Sequence, residues 1–389
     1  MDQDFSELLF LLGENHSEWK NAVAPPIYQT SNFCFPDVAS FRNAFQHEST
    51  APLYTRGVNP TVSVLREKLA ALEKSEDALV LSSGAAAISA AVINSVKAGD
   101  HILCVSHPYS WAHYLISGLL NRFGVECTFA DGTNSESFLS HVRENTTLIY
   151  LESPNSILFD VQDLEVIAQF AKSKNIRTIC DNSFSAGIIQ QPISFGIDIV
   201  IHSATKYFNG HSDVVAGVIC SRKEIIQSIL KSEFMTLGAI ASPIESWLIL
   251  RGLRTLHLRF EKSSGNAKFI ADQLKSRKEV ERIYFTHSEN SEQIDLVRKQ
   301  MSGNGGLLSV CFKAKSIKEM EDFCNRLKYF RMAVSWGGYE SLQLPICTFY
   351  QTEAEQHQHP WNMVRFYFGL EESQLLWSDI EQALDVFNS

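Results

Sequence analysis

Apolar positions fall in short runs along the first two-thirds of the chain, at 78–81, 101–105, 126–130, 147–151, 177–180, 197–201 and 214–220. Stretches with helical spacing separate most of them, such as 85–96, 111–123 and 164–174. Runs this short and this apolar predict strands buried on both faces. Alternation with helices predicts βαβ units and a mostly parallel seven-stranded sheet covered on both sides. In such a sheet a ligand sits beyond the carboxyl ends of the strands.

The pattern differs on either side of this block. Residues 1–60 are turn-rich and aromatic, with little periodicity, and predict an arm laid over something else. Leu65, Leu69 and Leu72 have helical spacing. Beyond 222, helical periodicity covers 225–234 and 243–274, with Gly252 and Gly265 as possible breaks. Strands are then expected at 307–312 and 365–368, and helices at 317–327 and 375–386; the polar, glycine-bearing stretch 286–306 is expected to be a surface loop. Three parts result: an arm at 1–60, a large α/β domain at 61–250 and a smaller α/β domain at 251–389.

Composition narrows the class. A 45% hydrophobic and 20% charged chain of 389 residues can bury a sizeable core. Its net charge of −10 disfavours nucleic acid or an anionic membrane as partner. No apolar run reaches membrane-spanning length. The acidic start Met1-Asp-Gln-Asp-Phe-Ser-Glu has no basic region of the secretory kind. The 8 cysteines form no CxxC pair, and Cys104, Cys180, Cys220 and Cys311 lie in strand-like runs, as core residues of a reducing compartment do. A cytoplasmic location is expected. The pairs His211/Asp213 and His357/His359 have no third ligand at a sensible spacing, so no metal is expected.

The candidate chemistry lies at the predicted strand ends. Ser203-Ala-Thr-Lys206 follows the run 197–201. A lysine just past a buried strand can be desolvated, which makes its amine a nucleophile toward carbonyls. Ser203 and Thr205 on the same turn can hold a phosphate, a combination suited to a Schiff base with pyridoxal phosphate (PLP). Leu81-Ser-Ser-Gly84-Ala85 ends one strand and opens a helix, with Ser83 and Gly84 at an anion-favouring helix start. Asp181 ends another strand, 25 residues before Lys206. A carboxylate there can keep a pyridine nitrogen protonated. Tyr109 follows a third strand and can stack on a ring. Asn155, in Glu152-Ser-Pro-Asn155, can hydrogen-bond a ring hydroxyl or a substrate carboxylate.

Taken in order, Tyr54-Thr-Arg56, Ser82-Ser-Gly84, Tyr109, Glu152-Ser-Pro-Asn155, Asp181-Asn and Ser203-Ala-Thr-Lys206 resemble the Cys/Met-metabolism PLP-dependent enzymes of fold type I, over residues 25–385. Within that family, Gly210-His-Ser-Asp213, Arg251-Gly-Leu-Arg-Thr-Leu256 and Ser335-Trp-Gly-Gly-Tyr-Glu-Ser-Leu342 are most similar to bacterial cystathionine β-lyases. The resemblance implies a PLP-dependent-transferase-like fold. Lys206 would carry the cofactor and shuttle the Cα proton, Asp181 would meet the ring nitrogen and Tyr109 would cover the ring. Ser83, Gly84, Ala85, Ser203 and Thr205 would bind the phosphate. Tyr54 and Arg56 would reach the phosphate of a neighbouring subunit, with Tyr54 also near substrate, in a homotetramer of site-sharing dimers. Arg365 would clamp the substrate carboxylate with help from Asn155, Ser335 and Trp336.

The implied reaction is β-elimination of L-cystathionine, or a related S-substituted cysteine, to a thiol, pyruvate and ammonia. Trp336 favours it. The alternative is γ-chemistry, as in cystathionine γ-synthases, γ-lyases or O-acylhomoserine sulfhydrylases. Two departures bear on the choice: Tyr109 is followed by Ser110-Trp111, without the cysteine of a methionine γ-lyase, and 343–351 follows no family pattern.

Overall fold

The computed structural model describes residues 5–289 and 291–388. The acidic start at 1–4, part of the basis for expecting no secretory signal, lies outside the described residues. Elements follow in the order α1 (Phe5–Phe10), α2 (Val38–Gln46), α3 (Pro60–Leu72), β1 (Asp77–Leu81), α4 (Gly84–Ser95), β2 (His101–Val105), α5 (Ser110–Tyr114), β3 (Glu126–Ala130), α6 (Ser135–Leu139), β4 (Thr146–Glu152), α7 (Leu164–Ser173), β5 (Arg177–Asp181), β6 (Ile199–Ser203) and β7 (Gly217–Ser221). Then come α8 (Lys223–Ile229), α9 (Met235–Leu237), α10 (Pro243–Leu253), α11 (Leu256–Leu274), β8 (Val280–Tyr284), α12 (Ile294–Gln300), β9 (Leu307–Phe312), α13 (Ile317–Arg326), β10 (Arg331–Met332), β11 (Leu342–Pro345), β12 (Met363–Tyr367) and α14 (Ser373–Leu384).

The described residues fall into two compact units. One comprises those up to Ser153, Val161–Asn209 and Asp213–Arg254; the other comprises Pro154–Asp160, Gly210–Ser212 and those from Thr255 on.

The first unit is built on a seven-stranded sheet of order β1-β7-β6-β5-β4-β2-β3. β2 through β6 pair in parallel, while β7 runs antiparallel to both β1 and β6. β7 is thus the exception to the predicted parallel run. Because β7 is reversed, its first residue Gly217 stands opposite the last residues of β1 and β6, Leu81 and Ser203. The carboxyl ends of β1, β2, β4, β5 and β6 all open on this edge.

Caps decide where the helices begin. Asn59 accepts from Thr61 N (3.0 Å) ahead of Pro60 at the start of α3, and Ser83 accepts from Ala86 N (3.0 Å) at the start of α4.

The second unit carries a five-stranded sheet, β10-β11-β12-β9-β8. α11, α13 and α14 pack on it through a core that includes Ile270, Leu308, Phe323, Phe366 and Ile380.

Several expectations need correction. The helix foreseen across 243–274 breaks at Arg254–Thr255, between α10 and α11, whereas Gly252 and Gly265 both lie inside helices. Gly252 serves a close approach: a Cβ there would stand 2.3 Å from the Asn209 carbonyl oxygen and 2.5 Å from that of Phe208. We expect Gly252→Ala to lower stability by about 1–3 kcal/mol through overpacking, read as a drop in denaturant midpoint with unchanged slope.

The stretch 286–306 is not only loop, since α12 buries Val297 and Gln300. Residues 1–60 contain α1 and α2. β6 extends to Ser203 instead of ending at 201, so the serine is still held by the sheet. β8, β10 and β11 escape a reading by apolar runs because they are short, edge-like or partly exposed.

Candidate active site

Asp181, the last residue of β5, stands in register with Ile201 of β6 and Glu152 of β4. It is buried, and its Oδ1 accepts from Ser183 N (2.9 Å) and Ser183 Oγ (2.6 Å). Ser183 Oγ in turn accepts from Ser203 N at 2.7 Å. One hydroxyl therefore ties the end of β5 to the end of β6. Oδ2 of Asp181 makes no hydrogen bond among the described residues. Burial pushes the carboxyl up from its ordinary value, while the Ser183 bonds and the charges of His202 and Lys206 pull it down. Asp181 thus senses the charge of Lys206, the other group that the sequence singled out.

Lys206 sits on the turn leaving β6, its backbone N–H donating to Ser203 O at 3.1 Å. The start of α4 packs against the same turn. A Cβ on Gly84 would be 3.0 Å from Ser203 Cβ and 3.1 Å from Ser203 Oγ. Gly217 lets the loop before α4 settle on the sheet, since a Cβ there would meet Ser83 O at 2.1 Å. Two first-turn amides, those of Gly84 and Ala85, have no intrahelical acceptor, as helix geometry requires. With Ser203 Oγ, which has no hydrogen-bond partner among the described residues, they make three donors at the positive end of a helix dipole.

Thr205 is placed differently from its expected role. Its Oγ1 accepts from Ala216 N (3.1 Å) and lies 3.3 Å from Ala216 O. Its hydroxyl is engaged in pinning the turn to the strand start.

Tyr109, half-exposed at 44%, is fixed by its backbone, whose N–H donates to Glu152 Oε2 at 2.6 Å. Burial raises its phenol above the usual value, and the charges of Asp181 and Glu152 add to that. Ser183 and Glu152 were not singled out as contributors. Their roles depend on which strands become neighbours, which no local motif states.

Arg365 of β12, in the second unit, is buried, and burial lowers its guanidinium to about 10. Nη2 donates to Ser335 O at 2.9 Å and Nη1 lies 3.4 Å from Ser156 O. No carboxylate pairs with it among the described residues. A buried guanidinium without a counter-charge is costly, which makes it a receptor for an anion. Ser335 takes φ of +87°, a left-handed conformation a serine rarely adopts, and thereby presents its carbonyl to Arg365. Trp336 beside it is buried.

Asn155 departs from its expected role. Its Oδ1 already accepts from Leu158 N (2.9 Å) and Phe159 N (2.9 Å), with Ile157 N at 3.3 Å, and Nδ2 donates to Asp160 Oδ2 at 3.0 Å. It shapes the loop 155–160, and one amide hydrogen remains for another partner. Tyr54 and Arg56 are exposed, with the Arg56 guanidinium 5.5 Å from the Tyr54 ring centre.

The donor cradle, the buried carboxylate with an unclaimed oxygen, and the lysine beyond β6 fit a phosphorylated pyridine aldehyde. The comparison with known proteins agrees. A family model described as Cys/Met metabolism PLP-dependent enzyme matches residues 8–385. The chain belongs to this family.

The L-methionine γ-lyase of Fusobacterium nucleatum is 36% identical over 371 residues, 93% of either chain. The cystathionine β-lyase of Lactococcus lactis is 34% identical over 369 residues, 94% of either chain. A solved structure described as metB from Corynebacterium glutamicum superposes with a TM-score of 0.91 at 32% identity, covering 99% of this chain and 98% of that one. The protein is thus a PLP-dependent carbon–sulfur lyase of Cys/Met metabolism with the fold type I architecture. Among the described residues no helix is long and apolar enough to cross a membrane.

Proposed function

We propose that the protein catalyses β-elimination of L-cystathionine, or of a related S-substituted cysteine, giving a thiol, pyruvate and ammonia. When bound at Lys206, PLP supplies an electron sink for the pair left at Cα. The residues do the rest. Asp181 Oδ2 holds the proton on the ring nitrogen. The Gly84 and Ala85 amides and Ser203 Oγ hold the phosphate, and Tyr109 covers the ring. Arg365 grips the substrate carboxylate. Lys206 Nζ takes the Cα proton. The Cβ–S bond then breaks with its electron pair on sulfur, a proton converts the thiolate to thiol, and the released three-carbon enamine hydrolyses to pyruvate and ammonia. Tyr54 and Arg56, exposed in one chain, are proposed to complete a neighbouring subunit's phosphate site within a homotetramer.

The observation supporting β-chemistry is Trp336, a buried indole next to the carbonyl that holds Arg365. γ-Elimination needs a second proton transfer, at Cβ, and room for the side chain to turn between the two. A bulky indole near the carboxylate anchor disfavours that turn. Ser110-Trp111 after Tyr109 points the same way. The alternative, γ-elimination, is favoured by the 36% identity to an L-methionine γ-lyase.

The test is product identity: with L-cystathionine the expected keto acid is pyruvate, measured alongside homocysteine. Formation of 2-oxobutyrate, or preferential turnover of L-methionine or an O-acylhomoserine, would refute the β-assignment and leave the cofactor site standing.

A further inference from the structure

Arg365 is held by a strained loop, and part of what holds that loop lies outside the mechanism above. Arg365 and Tyr367 are two residues apart on β12 and so face the same way. Each takes a carbonyl of the segment 335–338. Arg365 Nη2 donates to Ser335 O at 2.9 Å, and the Tyr367 hydroxyl donates to Gly338 O at 2.7 Å. Ser335 and Gly337 both have φ of +87°. Glycine takes that conformation freely and serine does not. A strained residue of this kind persists only where its surroundings over-determine it.

Downstream, the segment is strapped at several points. Leu370 N–H donates to Tyr339 O (2.9 Å), and Glu371 accepts from Ser341 N (2.9 Å) and Ser341 Oγ (2.8 Å). Between these straps, Glu340 reaches a different part of the second unit. Its Oε1 accepts from Ser212 Oγ at 2.5 Å, across 128 residues of chain. Gly338 lies against this bond: a Cβ there would stand 2.2 Å from Ser212 Oγ and 2.4 Å from Glu340 Oε2. Ser212 is itself left-handed, with φ of +57°, on the turn Gly210–Ser212. That turn is seated on α11, where a Cβ on Gly210 would stand 1.7 Å from Arg259 Nη1. The Arg259 side chain is buried, and its Nε donates to Thr255 Oγ1 at 3.0 Å. The turn is a fixed foot, and Glu340 is the strut from it to the loop.

We propose that Glu340, held by Ser212, is a positioning residue for the substrate carboxylate. It keeps Ser335 left-handed and its carbonyl on Arg365, so that the guanidinium is aimed before substrate arrives. The inference rests on the reading of Arg365 as the carboxylate anchor. Without the strut, the segment 335–340 relaxes toward ordinary backbone angles and the Ser335 carbonyl leaves Nη2. Substrate binding must then order what was already in place. The loss falls on binding, not on the cofactor or on the bond-breaking steps.

The experiment compares wild type, Glu340→Ala, Glu340→Gln and Ser212→Gly, each alone and combined with Arg365→Ala. The readouts are keto-acid formation, spectral titration of the PLP-loaded protein with glycine as a carboxylate-bearing probe, and thermal midpoint. Glu340→Ala and Ser212→Gly are each expected to raise KM and the glycine dissociation constant about 3–10-fold, the scale of one net hydrogen bond. Their kcat and resting cofactor absorbance are expected to match wild type. Ser212→Gly keeps the left-handed turn and loses only the hydroxyl. Glu340→Gln retains an acceptor oxygen in the same shape and is expected to stay within about 2-fold of wild type. In the Arg365→Ala background the Glu340→Ala effect on kcat/KM is expected to vanish, because both act through one contact. A lower thermal midpoint with unchanged KM, or a KM effect of equal size with and without Arg365, means a merely structural role and overturns the proposal. So does a Glu340→Gln as damaging as Glu340→Ala. If Glu340→Ala does not fold, Ser212→Gly decides. An Arg365→Ala variant with wild-type KM would sink the anchor reading itself, whereas a large Arg365→Ala effect beside a silent Glu340→Ala sinks this proposal alone.

Discussion

Lys206→Ala is expected to abolish the near-visible absorbance of the lysine-linked cofactor and to lower turnover by several orders of magnitude, while the fold survives. The reason is double. The amine at 206 is the attachment point, and it is also the base that moves the Cα proton, a role that contributes 10²–10⁴-fold by itself. Two neighbours are not placed to substitute: His202 points its Nε2 into Glu73, and the Tyr109 phenol is raised, so it stays protonated. The Gly84/Ala85/Ser203 cradle does not depend on the lysine side chain. PLP phosphate should therefore still be retained in the variant, measurable by cofactor release on denaturation. Turnover near wild type would remove Lys206 from the chemistry.

Arg365→Ala is expected to raise KM for amino-acid substrates far more than it lowers kcat. Truncating one member of a buried, hydrogen-bonded charge pair costs about 2–5 kcal/mol, which is roughly 30-fold to 4,000-fold in affinity. In the structure the guanidinium is buried, held by the Ser335 carbonyl and lacking any carboxylate among the described residues, so most of its potential partnering is reserved for a ligand. Arg365→Lys should recover only part of the loss, because an ammonium keeps the charge without the planar fork. The cofactor spectrum of both variants should match wild type. A KM within a fewfold of wild type for Arg365→Ala would mean that the substrate carboxylate binds elsewhere.

How much was legible in the sequence follows from how local each signal is. The strand-end placement of Asp181, Tyr109, Lys206 and the Ser83-Gly84 turn was readable because each is stationed where an apolar run stops, and strand ends are set by local composition. The roles of Ser183 and Glu152 and the pairing of Ser212 with Glu340 were not, because the partners come from other strands or loops, up to 128 residues away. Thr205 and Asn155 carry polar groups of the right kind at the right place, yet both side chains turn back to hold their own loops. No residue-type signal separates a hydroxyl that binds a ligand from one that pins a turn. The left-handed Ser335 was equally hidden, since a serine gives no hint of positive φ where glycine would. The helix break at 254–255 was misplaced by two glycines that read as breakers. One of them exists for close packing against the carbonyls of Phe208 and Asn209.

The most direct measurement is borohydride reduction of the PLP-loaded protein followed by peptide mapping of the pyridoxyl label. A single label on the peptide containing Lys206, lost in Lys206→Ala, is the predicted result. A label on another lysine, or no reducible cofactor at all, would contradict the assignment of this strand edge as the catalytic centre.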